Sequence, residues 1–221
     1  MLNSIYSKTY KKLDLIFVFT YYFYIFILSM LYFKIITNNI HYFNNTYLKL
    51  IANISLNLFQ LIPIIIFIRY RGQSFKDIGI YLNNIYKLIF KGVLYFVPLL
   101  LIGIVFSDQK ISFNTLFSIN SIIQLVTIAL IEEIIFRGFI QSRLFGIFKN
   151  KVFALILGSL MFSLIHSSKF LIIGFTNISL ISFLIVSLRL SLKHIYYTFI
   201  TNNTNSIIPS TISHFLNNIL S

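Results

Sequence analysis

Ile128-Ala-Leu-Ile-Glu-Glu-Ile-Ile-Phe-Arg-Gly138 sets two adjacent carboxylates, Glu132 and Glu133, inside a long apolar run, with Arg137 four residues after the second. They are the only glutamates in the 221-residue chain. A carboxylate at bilayer depth costs about 3 kcal/mol on insertion scales, so such residues almost always face a bundle interior or a water-filled cavity and mark a working site. Whatever chemistry the chain performs should centre on this pair.

The surroundings are those of a membrane protein: 57% of the residues are hydrophobic and 10% charged. A helical span needs about 20 mostly apolar residues. The first candidate runs from about Leu13 to Phe33 behind Lys8, Lys11 and Lys12, too long for a signal-peptide core and without a small-residue cleavage site, so it reads as a retained helix. A net charge of +13 invites a nucleic-acid partner, but the cations fall in short clusters between apolar runs, as positive-inside topology requires, and nucleic acid is not expected. The same charge bias predicts a cytoplasmic N-terminus. With no cysteine there is no disulfide framework and no thiolate ligand or nucleophile.

Outward from the glutamates, the pattern predicts an all-α, polytopic membrane bundle of about eight transmembrane helices and at least six, forming one domain over residues 1–221. A second span from Leu48 to Ile68 carries Asn53, Asn57 and Gln60 at helical spacing, expected to hydrogen-bond across the bundle. A basic link follows, in which Ser74-Phe-Lys-Asp-Ile-Gly-Ile is expected to start a short interfacial helix. A third span runs from Gly92 to Phe106, and a polar loop through Asp108 precedes the glutamate helix, which begins near Ile119 and breaks at Lys149-Asn150-Lys151. Further breaks are expected near Thr176-Asn177 and over Thr201 to Asn205. Ser206-Ile-Ile-Pro-Ser then reads as a capped helix start.

Spacing separates the two acids. Residues four apart share a helix face, so Glu133 pairs with Arg137, whereas Glu132 is turned about 100° away from Glu133. Two histidines also lie in apolar segments: His166, with Phe162 one turn below it, and His214, with Asn218 one turn above it. A carboxylate with an imidazole can activate water, and a His/Asn pair can donate hydrogen bonds to a developing oxyanion. His41 and His194, beside polar loops, are expected to be non-functional.

Glu132-Glu133-x-x-x-Arg137, Phe162-x-x-x-His166 and His214-x-x-x-Asn218, in that order, resemble the motifs of the CPBP family of intramembrane proteases, the CAAX-protease and bacteriocin-processing proteins also called the Abi family. The three motifs span about 87 residues within a motif-bearing core of about 119–221. Phe136-Arg-Gly-Phe-Ile-Gln, Asn205-Ser-Ile-Ile-Pro-Ser and Asp77-Ile-Gly-Ile are similar to flanking elements of the family. Phe183 to Leu190 departs from it in having no glycine.

The resemblance implies an α-helical membrane protease acting within the bilayer on a peptide or membrane-protein substrate. It implies Glu132 as the water-activating base with His166 assisting, Glu133 and Arg137 as organisers, and His214 with Asn218 as the oxyanion-stabilising pair. Bacterial members are linked to bacteriocin self-immunity and peptide maturation, eukaryotic ones to cleavage of prenylated CAAX tails. Glu132, His166 and His214 would make a three-ligand zinc site of the Glu/His type. Metal-free hydrolysis is the favoured reading, because His-Glu-x-x-His is absent and no aspartate lies near either histidine in the sequence. The competing classes are a non-catalytic immunity or scaffold protein that keeps the polar set for packing, and a small transporter whose Glu132 carries protons.

Overall fold

Asp14 accepts a hydrogen bond from the Lys11 backbone N–H at 3.0 Å and so opens the first long helix with a carboxylate in its positive first turn. The computed structural model describes residues 4–39, 46–106, 119–173 and 180–220, and every regular element among them is helical. In order they are α1 (Ser4–Ser7), α2 (Lys12–Asn38), α3 (Thr46–Tyr70), a 3₁₀ turn (Phe75–Ile78) and α4 (Ile85–Phe106). A compound helix follows, made of α5 (Ile119–Gln124), a π stretch (Leu125–Ala129), α6 (Leu130–Glu133), a second π stretch (Ile134–Gln141) and α7 (Ser142–Ile147). The chain closes with α8 (Lys151–Ile173), α9 (Leu180–Thr204) and α10 (Ile207–Leu220).

Four helices have the length and apolarity to cross a membrane: Lys12–Asn38, Leu50–Tyr70, Ile85–Val105 and Leu180–Thr204. A fifth apolar stretch, Lys151–Ser167, is shorter. About eight were expected; the compound helix and the 14-residue α10 are not among these four. Large side chains exposed along the spans, such as Phe23, Phe59 and Ile66, are what lipid-facing surfaces present.

The fold divides into two compact units. One comprises the described residues within Met1–Ser7, Ile68–Ser142 and Tyr197–Ser221, the other those within Lys8–Phe67 and Arg143–Tyr196. In the first unit α10 packs along α4. A Cβ on Gly92 would come within 2.6 Å of Ile212 Cβ, so the two backbones approach as closely as glycine permits. The turn before α10 keeps Asn205 at φ 53, a conformation asparagine tolerates, and the Ser206 hydroxyl accepts from the Ile208 N–H at 3.2 Å. The expected loop from Thr201 is instead helix as far as Thr204. Thr201 lies 2.9 Å from the Ser210 hydroxyl and Thr204 returns its hydroxyl to the Ile200 carbonyl, so these polar side chains are satisfied without leaving the helix.

In the second unit α2 packs on α8, and the Tyr22 hydroxyl donates to the Met161 carbonyl at 3.1 Å. Asn53, read as a cross-bundle hydrogen-bonding residue, accepts from Tyr32 of α2. Asp14 and Arg143, both fully buried, stand 3.8 Å apart, with the guanidinium over the Tyr10 ring at 4.9 Å. The break at Lys149–Lys151 falls where expected; the expected breaks at Asp108 and Thr176-Asn177, and His41, lie outside the described residues.

The second π stretch meets the 3₁₀ turn at Gly138, where an added Cβ would sit 2.4 Å from the Ile78 carbonyl oxygen. Gly138→Ala is therefore expected to destabilise the protein by about 1–3 kcal/mol through overpacking against backbone. Gly103→Ala, which meets nothing within 4 Å, is expected to be neutral or mildly stabilising. Thermal unfolding of the two variants in detergent checks the contrast.

Candidate active site

The four residues Leu130–Glu133 are α-helical between two π stretches. π turns inside α-helices cost hydrogen-bond geometry and occur frequently at functional sites. Glu133 and Arg137 form the expected pair: Arg137 Nη1 lies 3.0 Å from Glu133 Oε1, and both side chains are completely buried. The same Oε1 is 3.0 Å from His214 Nδ1. A carboxylate only accepts, so Nδ1 carries the hydrogen that is donated there. The other ring nitrogen, Nε2, faces Glu132 Oε2 at 3.7 Å, an ion-pair separation longer than a hydrogen bond.

Both acids thus address one histidine. The reason is geometric. The His214 ring enters from α10, and its two nitrogens bridge carboxylates that the helix directs about 100° apart. Burial still distinguishes the acids, because the Glu132 side chain keeps 21% of its surface exposed while Glu133 keeps none.

Two aromatic residues that the sequence did not single out complete this cluster. Tyr197 of α9 stacks on His214, with ring centroids 4.8 Å apart and planes at 24°, and the Arg137 guanidinium carbon lies 5.1 Å from the centre of the same ring. The cation and the imidazole therefore share one aromatic plate. Tyr6 of α1 is fully buried, with its phenol among the Thr201 and Thr198 side chains and within the fields of Arg137 and Glu133. Burial pushes that phenol far above the ordinary tyrosine value, Arg137 opposes the rise and Glu133 adds to it. Asn205 holds this segment by accepting from the Ile5 N–H at 2.9 Å.

Replacing Tyr197 by leucine is expected to cost about 0.5–2 kcal/mol of stability, the worth of the lost stacking and cation–π contacts. Tyr197→Phe keeps the ring and is expected to recover most of it. Denaturant titration of both variants in mixed micelles makes the comparison.

Asn218, one turn beyond His214, is exposed, whereas its neighbour Asn217 is buried. Phe162 and His166 belong to the second unit, where the ring centroids are 4.3 Å apart and His166 Nδ1 lies 2.9 Å from the Phe162 carbonyl. That contact makes Nδ1 the hydrogen-bearing nitrogen of His166 as well. His194, expected beside a loop, is wholly buried within α9, its ring 5.4 Å from Phe162. Among the described residues no group of three or more His, Cys, Asp or Glu side chains is arranged to hold a metal ion.

An all-helical integral-membrane protein with a buried carboxylate–guanidinium–imidazole cluster is the class this fold and site define. The family model described as type II CAAX prenyl endopeptidase Rce1-like matches residues 114–220, which contain all three motifs. The matched stretch, a little under half of the chain, is thus similar to the CAAX-protease (CPBP) family of proteases that its motifs resemble. No curated protein and no solved structure matches the chain.

Proposed function

We propose that this protein is an intramembrane endopeptidase that hydrolyses a peptide bond of a membrane-associated or peptide substrate, using Glu132 to activate water. The observation that carries this reading is the pinned imidazole. His214 is fixed through Nδ1 on a fully buried carboxylate, and its Nε2 faces the one glutamate of the pair that keeps some exposure. A purely structural cluster has no need of that second, partly exposed acid.

In this mechanism Glu132 takes a proton from water, and the hydroxide adds to the scissile carbonyl carbon. With hydrogen on both ring nitrogens, His214 donates from Nε2 to the tetrahedral oxygen, joined by the Asn218 amide. Collapse breaks the C–N bond, and the proton held by Glu132 passes to the departing nitrogen, leaving a carboxylic acid and an amine. Glu133 and Arg137 act as positioning residues that hold His214. His166, with Phe162, keeps the water-assisting role that the family resemblance implies. A glutamate-type route is preferred to a metal route because the metalloprotease signature His-Glu-x-x-His is absent from the sequence.

The whole chain acts as one protease domain, with its motif-bearing core over about 119–221. It lies in a bacterial cell membrane with the Lys8–Lys12 end of α2 cytoplasmic, and bacteriocin self-immunity or peptide maturation is its setting. The test is peptide release from membrane-tethered peptides by purified protein in bilayer discs. Release by wild type that disappears in Glu132→Gln supports the reading. Equal release by both, or equal immunity conferred in cells by both, overturns it in favour of a scaffold.

A further inference from the structure

The segment between α3 and α4 has two sides. Residues 71–84 join the candidate spans Leu50–Tyr70 and Ile85–Val105, and only the 3₁₀ turn Phe75–Ile78 interrupts their irregular backbone. Non-helical backbone exposed to lipid does not cross the hydrocarbon core, so both span ends meet the same membrane face and the connection lies at headgroup level. Its inner side is fixed: Ile78 is buried, and the Gly79 carbonyl accepts from the Ile207 N–H at 3.0 Å at the start of the His214 helix.

The outer side is cationic and aromatic. Arg69, Lys76 and Lys87 are exposed, and Tyr70 and Tyr86 are 75% and 86% exposed. The one carboxylate in the segment, Asp77, caps its own turn, accepting from the Ser74 N–H at 2.6 Å and the Ser74 hydroxyl at 3.0 Å, against three exposed cations. Basic residues beside tyrosines, at the ends of two spans, match the negative surface of an anionic leaflet and the amphipathic level just beneath it.

We propose that this connection is a docking surface for the headgroups of anionic phospholipids, with Arg69, Lys76 and Lys87 as the phosphate contacts and Tyr70 and Tyr86 as the interfacial anchors. The occupant is lipid and not free phosphate, because the tyrosines supply a second attachment that only a molecule continuous with the bilayer can use. Lipid docking at this connection does not depend on proteolysis.

The experiment is thermal unfolding of the full chain in detergent micelles with added phosphatidylglycerol, phosphatidylcholine or inorganic phosphate at matched ionic strength. Wild type is expected to rise in Tm with phosphatidylglycerol alone. Arg69→Gln/Lys76→Gln/Lys87→Gln, all at exposed positions, is expected to lose at least half of that rise. Lys34→Gln, an exposed position near the C-terminal end of α2, should keep it. Equal rises with both lipids, a rise reproduced by phosphate, or a full response in the triple variant would each overturn the proposal.

Discussion

Glu132→Gln is expected to lower the rate of peptide release by about 10²–10⁴-fold, the range that loss of a positioned general base produces, while leaving the unfolding midpoint nearly unchanged. The substitution keeps the side chain's shape and removes only its capacity to take a proton. The Glu132 side chain keeps 21% of its surface exposed, so water reaches the amide that replaces the carboxylate. Glu133→Gln one residue away should behave differently. That carboxylate is completely buried and takes both Arg137 and His214 at 3.0 Å, so its neutralisation is expected to lower stability together with activity. The contrast is what separates a reacting acid from an organising one. Were Glu132→Gln to cut stability as deeply as Glu133→Gln, both glutamates would be structural. Proton flux in sealed vesicles, stopped by the same substitution, would point instead to transport.

The outcome at each position shows what the chain discloses by its sequence. Glu133 and Arg137 were legible because four residues is one turn, and π-helical continuation after Glu133 does not prevent their contact. The start of α10 was legible because Ser206 and Pro209 carry the chemistry of a first turn. The π stretches were not legible. Leu-Val-Thr-Ile-Ala and Ile-Ile-Phe-Arg-Gly-Phe-Ile-Gln contain no residue that demands a wider turn, so the widening has to come from packing.

Partners supplied from a distance were equally hidden. Tyr197 is one of 14 tyrosines, and only the folded chain selects it by setting its ring between Arg137 and His214. Tyr6 reaches the cluster through a segment fixed by a hydrogen bond to a residue 200 positions away. A local periodicity argument sees along one helix and carries no record of such contacts. The same limit explains the meeting of both carboxylates at His214: spacing gives the directions of two side chains, not the ring that enters between them.

Arg137→Met is expected to destabilise the protein by about 3–5 kcal/mol, because it removes the cation and leaves the Glu133 carboxylate buried without it. Methionine fills much of the arginine stem's volume, so the loss reports charge more than cavity. Glu133→Gln placed on the same background removes the stranded charge, and the double variant is expected to recover a large part of the loss. A coupling of about 0.5–3 kcal/mol in the resulting cycle is the scale for residues in direct contact. Activity should not recover with stability. His214 keeps only a neutral amide at Nδ1 in the double variant, and nothing then fixes its ring against Glu132 with the strength of a charge-assisted bond. Unfolding in mixed micelles and peptide release, measured on all four proteins of the cycle, separate the two effects. A loss below about 1 kcal/mol in Arg137→Met would mean that the pair is solvated as a surface salt bridge is, contrary to its complete burial. Restored release in the double variant would remove the charged tether of His214 from the mechanism.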